Sequence, residues 1–461
     1  MSTLKNIVNR NRRETLTFPT IKMRKTLNFD ALAAIIKKNM QQVPDHRAAN
    51  ASIPLDDVLM SGFAMFSLKD PSLLAFDQRR HEQPESLRSV FGVGVIPSDT
   101  QMRTILDEVL PCFIRRPFRS IFHQLQRSKV LKKMLCLGEY LLLAIDGTGI
   151  YSSENIGADY CLTKEKRSGK LEYHLQMVTG AFVSPDCKEV LPLCPEPIRR
   201  QDGSTKNDCE RNATKRFLAD FRREHPHLKV IVVEDGLSSN APHIKDLVHH
   251  NLRYILSAKP KDHTFLFSQI DEAVESGKIT ELMLPDSNKT NITHCFRFIN
   301  SVPLNKASQD ELRVNFLEYW ETETSGEKIA LRNRFSWVTD FEITPGNVME
   351  IMRSGRARWR IENETFNTLK NQGYNLGHNY GLGKKHLSAV FMHLMLLAFL
   401  VDQVQQLCCP LFQAARLKLH SKRALWERIR CYFQMFFAPS MEVILRMIAQ
   451  GFEKLQCPIY D

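Results

Sequence analysis

The sequence contains no Cys-x-x-Cys pair, although it holds eleven cysteines. An odd number of scattered thiols excludes a fully paired disulfide framework and gives no zinc-ribbon or redox spacing. Single cysteines spread along a long chain fit a reducing compartment. Glycine (20) and proline (21) are too few in 461 residues for a collagen-like or low-complexity chain. No apolar run reaches the roughly twenty residues of a membrane-spanning helix. The longest, LSAVFMHLMLLAFLV at 387–401, contains His393 and reads as a buried core helix, with a membrane segment as its rival. The N-terminal stretch is basic and has no apolar segment of the kind a secretory signal carries.

Negative charge is also in short supply. There are 51 Asp and Glu against 63 Lys and Arg, for a net charge of +12. That surplus favours a polyanionic partner. The composition, 43% hydrophobic and 25% charged, is otherwise that of a globular chain. Its length allows two to four domains at roughly 100–200 residues each.

The chain changes character along its length. Residues 1 to about 28 carry Lys5, Arg10, Arg12, Arg13, Lys22, Arg24 and Lys25 against Glu14 alone, either a phosphate-following arm or a solvated tail. Residues 1–135 otherwise read as helical. Asn28 stands before ALAAIIKKNM, and Ser98 or Asp99 before an amphipathic run, as helix caps. From residue 136 short apolar runs alternate with helical patterns: YLLLAID (140–146), LEYHLQMVTGAFV (171–183), VLPLCPEPI (190–198) and KVIVVEDG (229–236) as strands, 208–225 and 242–250 as helices. This interleaving predicts an α/β core with a partly parallel sheet over 136–289. Residues 290–346 read as an inserted antiparallel β unit. Residues 347–405 complete the core with a helix carrying acids, and 406–461 form a C-terminal helical region.

Two of the strands end in carboxylates, Asp146 after LLLAI and Glu234-Asp235 after VIVV. Strand ends are where sites form in α/β sheets. Each Asp also precedes a Gly, so a turn or capping role is the plain alternative. A third acid comes from RARWRIENETFNTLK (356–370). At about 100° per residue, Glu362 shares the apolar face with Trp359, Phe366 and Leu369. Glu364 falls opposite, with Arg360, Asn367 and Asn371. An acid on a packed face needs a partner or a metal. Arg358, one turn earlier, is a candidate partner, and a simple Arg358–Glu362 helix pair is the alternative. Three carboxylates from two strand ends and a helix suit a pair of hard divalent cations. Glu210, in KNDCE at a helix start, reads as a capping residue.

Ile145-Asp146-Gly-Thr, Val-Glu-Asp235-Gly, Trp337-Val-Thr-Asp340 and Arg358-Trp-Arg-Ile-Glu362-x3-Phe366-x2-Leu-Lys370 together resemble a bacterial insertion-sequence DDE transposase, the cut-and-paste type with a β insertion before the final Glu. The resemblance spans roughly 140–400. It implies an RNase H-like catalytic core, with Asp146, Asp235 and Glu362 as both catalytic residues and ligands of two Mg2+ or Mn2+ ions. Two positions depart from the family pattern. Gly355 stands where a Tyr is usual, and Lys370 lies eight residues after Glu362 rather than seven. Glu364 stays open as the third acid.

The expected function is therefore cleavage at transposon ends and joining of the 3′-hydroxyl to target DNA. The implied partners are double-stranded DNA with terminal inverted repeats, target DNA and a second copy of the chain in a synaptic dimer. The implied setting is the cytoplasm, at the nucleoid, with no membrane partner. Arg358 and Lys370 would contact phosphates, and Trp320, Trp337 or Trp359 would contact DNA by stacking or packing. Lys164, Lys166, Arg167 and Lys170 form a basic loop that is either a DNA contact or solvated. The competing readings are a two-metal nuclease that does not join ends, and a non-catalytic DNA-binding protein derived from such an enzyme.

Overall fold

The computed structural model describes residues 21, 23–203, 206–308, 311–325 and 328–451. Most of the expected basic arm lies outside these residues. The first part of the described chain is helical: α1 (Phe29–Met40), α2 (Leu55–Leu68), α3 (Leu73–Glu82), α4 (Pro84–Phe91), α5 (Asp99–Asp107) and α6 (Arg115–Arg127). The caps lie where the side chains allow. Asn28 accepts the Ala31 N–H at 2.8 Å, and Ser98 and Gln101 form a reciprocal capping box at α5. Helix α2 is buried almost all round, which marks it as the centre of a helical layer rather than its surface.

A twelve-stranded mixed sheet runs through the described residues. Its strands are β1 (Leu135–Cys136), β2 (Tyr140–Ser153), β3 (Leu162–Glu165), β4 (Leu171–Val183), β5 (Leu191–Pro192), β6 (Glu196–Pro197), β7 (Val230–Glu234), β8 (Arg253–Ser257), β9 (Thr280–Pro285), β10 (Ile292–Pro303), β11 (Arg313–Ser325) and β12 (Lys328–Thr339). The spatial order is β3-β4-β2-β7-β8-β12-β11-β10-β9. Strands β2, β7 and β8 are parallel, and the neighbours on either side are antiparallel. Every residue of β7 is buried, as a run of Val and Ile without alternation requires for a central strand. The crossovers are α7 (Lys206–Glu224) and α8 (Ala241–His249), with α9 (Thr264–Glu275) after β8.

The β insertion is not a separate sheet. The end of β12 pairs with β8, Trp337 with Ser257 through Thr339 with Ile255. Core and insertion therefore share one continuous hydrogen-bonded sheet. Asp340 reinforces the junction, taking the Arg253 guanidinium and the Tyr254 N–H. Strand β9 belongs with these strands and starts at Thr280, ahead of the boundary expected at 290.

The C-terminal part contains α10 (Val348–Arg356), a π turn over Ile361–Phe366, α11 (Asn367–Asn371), α12 (Leu387–Cys408), α13 (Pro410–Leu417), α14 (Lys422–Met435) and α15 (Met441–Gln450). The long apolar run becomes α12. By length and composition it is a helix able to cross a membrane, yet 89% of its apolar window is buried inside the fold. It packs on α2, α5 and α6, so the first and last helices share a core. Asp107 fixes its start by accepting the backbone N–H groups of Lys384, Lys385, His386 and Leu387. His393 inside α12 bonds the Ala389 carbonyl. Burial pushes its imidazole down to about 4, so it packs as a neutral ring.

Candidate acidic site at the parallel strand ends

The last parallel pair between β2 and β7 is Ala144 with Val233. Asp146 and Asp235 each lie two residues further on. The two carboxylates thus leave neighbouring strands at the same height, on the carboxyl edge of the parallel part of the sheet. Of the two, only Asp235 lies in the turn its following Gly suggested; Asp146 and Gly147 stay inside β2, which continues to Ser153 against β4, so Asp146 is not at a strand end. Asp146 Oδ1 accepts the Gly147 N–H at 2.8 Å, and Asp235 Oδ1 accepts the Leu237 N–H at 3.0 Å. In both cases one carboxylate oxygen is tied to the local backbone and the other is left for the site.

Glu362 arrives from the opposite side. Arg358 Nη1 donates to Glu362 Oε1 at 2.7 Å and lies 4.0 Å from Asp146 Oδ2. The helix pair expected from spacing is real, and it reaches Asp146 as well. Glu364 lies on the other side of the helix, lining an open cleft with Trp359 and Arg360. The geometry favours Glu362 as the acid facing Asp146.

The helix that carries these groups is not a regular α-helix. Between Ile361 and Phe366 it widens into a π turn, with the Asn367 N–H donating to the Glu362 carbonyl five residues back. Such a turn takes in one residue more than an α turn. Lys370, eight residues after Glu362, then falls where a residue seven further on would fall in an unbroken α-helix. It is exposed. The other departure also has a physical account. A Cβ on Gly355 would sit 2.6 Å from Nε1 of Trp337. The buried indole, 2% exposed, fills the space that a larger residue at 355 would need.

A fourth acid joins the site that sequence reasoning assigned to capping. Glu210 on α7 rests its carboxyl group on Gly147, where an added Cβ would meet it at 2.8 Å. Asp146, Asp235 and Glu210 line one small polar cavity with Glu234 and His243 behind them. Glu234 and His243 form a buried pair at 2.6 Å. Its volume of about 20 Å3 is room for one water-sized occupant. The available signal for Glu210 was the absence of a side chain at position 147, beside an acid.

Electrostatics at Asp146 follow from this crowding. Burial raises its carboxyl most, and the Arg358 guanidinium opposes that; Glu210 and Glu362 then raise it further, to about 7. The donor set is all oxygen, which fits hard divalent cations. Among the described residues no three Asp, Glu, His or Cys side chains already converge at metal-ligand distance; between Asp146 and Glu362 the guanidinium lies instead.

The expected DNA-contacting tryptophans separate. Trp337 is a core residue stacked on Phe335, so it offers no ring to a base. Trp320 is half-buried, with the Arg297 guanidinium 5.5 Å from its ring. Trp359 is 52% exposed, not on the packed face that regular helical spacing predicted. It lines a cleft of about 990 Å3 with Arg353, Arg356, Arg360 and, across from them, Asp286. The basic loop after β3 is a hairpin turn, in which Lys166 pairs with Glu154 and Glu172, and Lys170 with Glu154.

Fold and site together define a mixed α/β protein with paired carboxylates just beyond the last parallel pairing of β2 and β7. No protein-family model matches the chain, and no curated protein matches it.

Proposed function

We propose that this protein is a magnesium- or manganese-dependent DNA transposase of the DDE type, cleaving element ends and joining the freed 3′-hydroxyl to target DNA. One observation carries the reading: Asp146 and Asp235 at equal height on adjacent parallel strands, with Glu362 joined to Asp146 through Arg358. The sheet supports it. Antiparallel β4 beside β2, followed by parallel β7 and β8 with helical crossovers, is what an RNase H-like core would require, and β9–β12 supply the β unit expected before the acid helix.

Asp146, Asp235 and Glu362 would hold the cations, with Asp146 and Asp235 presenting the oxygen not engaged by the local backbone. Two bound ions supply activation of water or a 3′-hydroxyl and stabilisation of the leaving oxygen. The chain's own contribution is positioning. Strand β2 fixes Asp146 rigidly between β4 and β7, and the buried Glu234–His243 pair backs the turn that carries Asp235. Lys370 and the arginines beside Trp359 offer phosphate contacts, and the exposed indole offers a stacking face for an unpaired base. The proposed partners are duplex DNA bearing inverted repeats, target DNA and a second copy of the chain. A cytoplasmic, nucleoid-associated setting belongs to the same reading.

The test uses labelled duplexes from the DNA flanking the coding sequence, scoring nicking, joining and complex formation separately. Asp146→Asn, Asp235→Asn and Glu362→Gln should each reduce Mg2+- or Mn2+-dependent cleavage by about 10³-fold or more while binding persists. The three losses should be far from additive, since residues acting as a unit fail together. Cutting without joining would make the protein a nuclease. Binding without cutting under either metal would make it a DNA-binding protein only. Cutting that survives all three substitutions would place the chemistry elsewhere.

A further inference from the structure

We infer that Arg358 is an internal counter-ion occupying a cation position between Asp146 and Glu362, so that its guanidinium and a divalent cation exclude one another there. The inference rests on the proposed reading of these acids as a cation site. Arg358 Nη1 is 2.7 Å from Glu362 Oε1 and 4.0 Å from Asp146 Oδ2. Its side chain is 13% exposed, against 24% for Asp146 and 41% for Glu362. The arginine side chain is therefore less exposed than either of its negative partners, with its guanidinium in reach of both. A surface ion pair at one helical turn would leave its guanidinium in solvent, and this one does not.

The chemistry makes the exclusion strict. A guanidinium does not lose its proton in a protein, so its charge cannot be titrated away to admit a metal. A divalent ion placed against the same two carboxylates would meet a fixed positive charge at a few ångströms. One of the two must leave. The side chain can swing while its backbone stays fixed in the helix, and its fork geometry matches phosphate as well as carboxylate. In the DNA complex proposed above, the guanidinium has a phosphate to turn to.

The inference is tested by titrating the full DNA-free chain with Mn2+ and reading the free ion by electron paramagnetic resonance. Arg358→Gln removes the charge and keeps most of the length. It should bind Mn2+ about tenfold more tightly than the unaltered chain, the size expected for a unit charge within 4–6 Å. Arg358→Lys keeps the charge on a shorter, single-point group that cannot span both carboxylates, and should gain a smaller factor. It also serves if Arg358→Gln loses its cooperative melt. Asp146→Asn separates the two levels of the argument. If it weakens Mn2+ binding while neither Arg358 variant improves it, the counter-ion role is overturned and the cation site stands. If Mn2+ binding ignores Asp146→Asn in every background, the cation site falls and the inference falls with it.

Discussion

Two groups of charged side chains lie below the surface of this molecule. At the end of α2, Lys69 is fully buried and bonds Asp402 of α12 and the Ser67 carbonyl. Its ammonium lies 3.8 Å from the Trp426 ring centre and 4.6 Å from that of Tyr374. Tyr374, in the segment after α11, donates to the same carboxylate. Burial pushes Lys69 down and Asp402 up, and each is the main charge opposing the shift of the other. Here positive and negative groups are matched one to one, and the Tyr374 hydroxyl shares the same carboxylate. Around Asp146, by contrast, Glu210, Glu362 and Asp235 crowd together with Arg358 between two of them. The first group fastens α2, α12 and the chain after the acid helix. The second sets several carboxylates around one polar cavity with a guanidinium between two of them, an arrangement suited to holding a cation.

That contrast predicts opposite responses to neutralisation. The largest effect on stability belongs to the matched pair. Lys69→Met leaves Asp402 buried and unpaired, and should cost about 3–5 kcal/mol in denaturant unfolding. Adding Asp402→Leu should restore much of that loss, because no charge is then stranded. A double variant as unstable as the sum of the singles would show that the pair is not the fastener described here.

Neutralising Asp146 should do the reverse. Asp146 ionises with greater difficulty in the folded chain, its carboxyl standing at about 7 against the ordinary 3.8. The folded state therefore holds a proton that the unfolded state has already released. Stability contributed by this group is full below about pH 4 and is lost as pH rises to about 7. The separation corresponds to up to about 4 kcal/mol. Asp146→Asn should thus stabilise the chain at pH 8 and make no difference near pH 4, read from melts across that range without divalent cations. A variant less stable at pH 8 would mean that Arg358 outweighs burial and the neighbouring acids.

A smaller effect tests the wall behind the acid helix. Gly355→Ala drives a methyl group against the Trp337 indole, and overpacking of this kind should cost about 1–3 kcal/mol. Gly355→Ala paired with Trp337→Phe should recover part of it. No recovery would indicate that the glycine is required by the backbone rather than by the indole.

Much of this arrangement was legible before the fold was known. Uninterrupted apolar runs in LLLAI and VIVV marked central strands, because a strand covered on both faces has no reason to alternate. Helical angles separated Glu362 from Glu364. What escaped reading depended on tertiary contact or on backbone detail that side chains do not encode. Glu210 had a sufficient local explanation as a capping acid, and its contact with Gly147 joins elements far apart in sequence. The pairing of β12 with β8 spans some eighty residues and has no local mark. Trp337 and Trp359 differ in composition not at all, yet one is sealed against Gly355 and the other open to solvent. The helix around Trp359 is irregular on both sides, tight turns before it and the π turn after it, and no residue pattern announces either.

That π turn holds one residue of slack. A sister sequence lacking a single residue between Glu362 and Lys370 could relax the widened turn into ordinary α-helix and keep both side chains on their present faces. The interval from acid to lysine is thus free to differ by one between otherwise equivalent chains, as an insertion absorbed by the backbone and invisible to function. Motif searches that fix this interval would divide such chains into two groups, although the helix presents the same pair of charges in both.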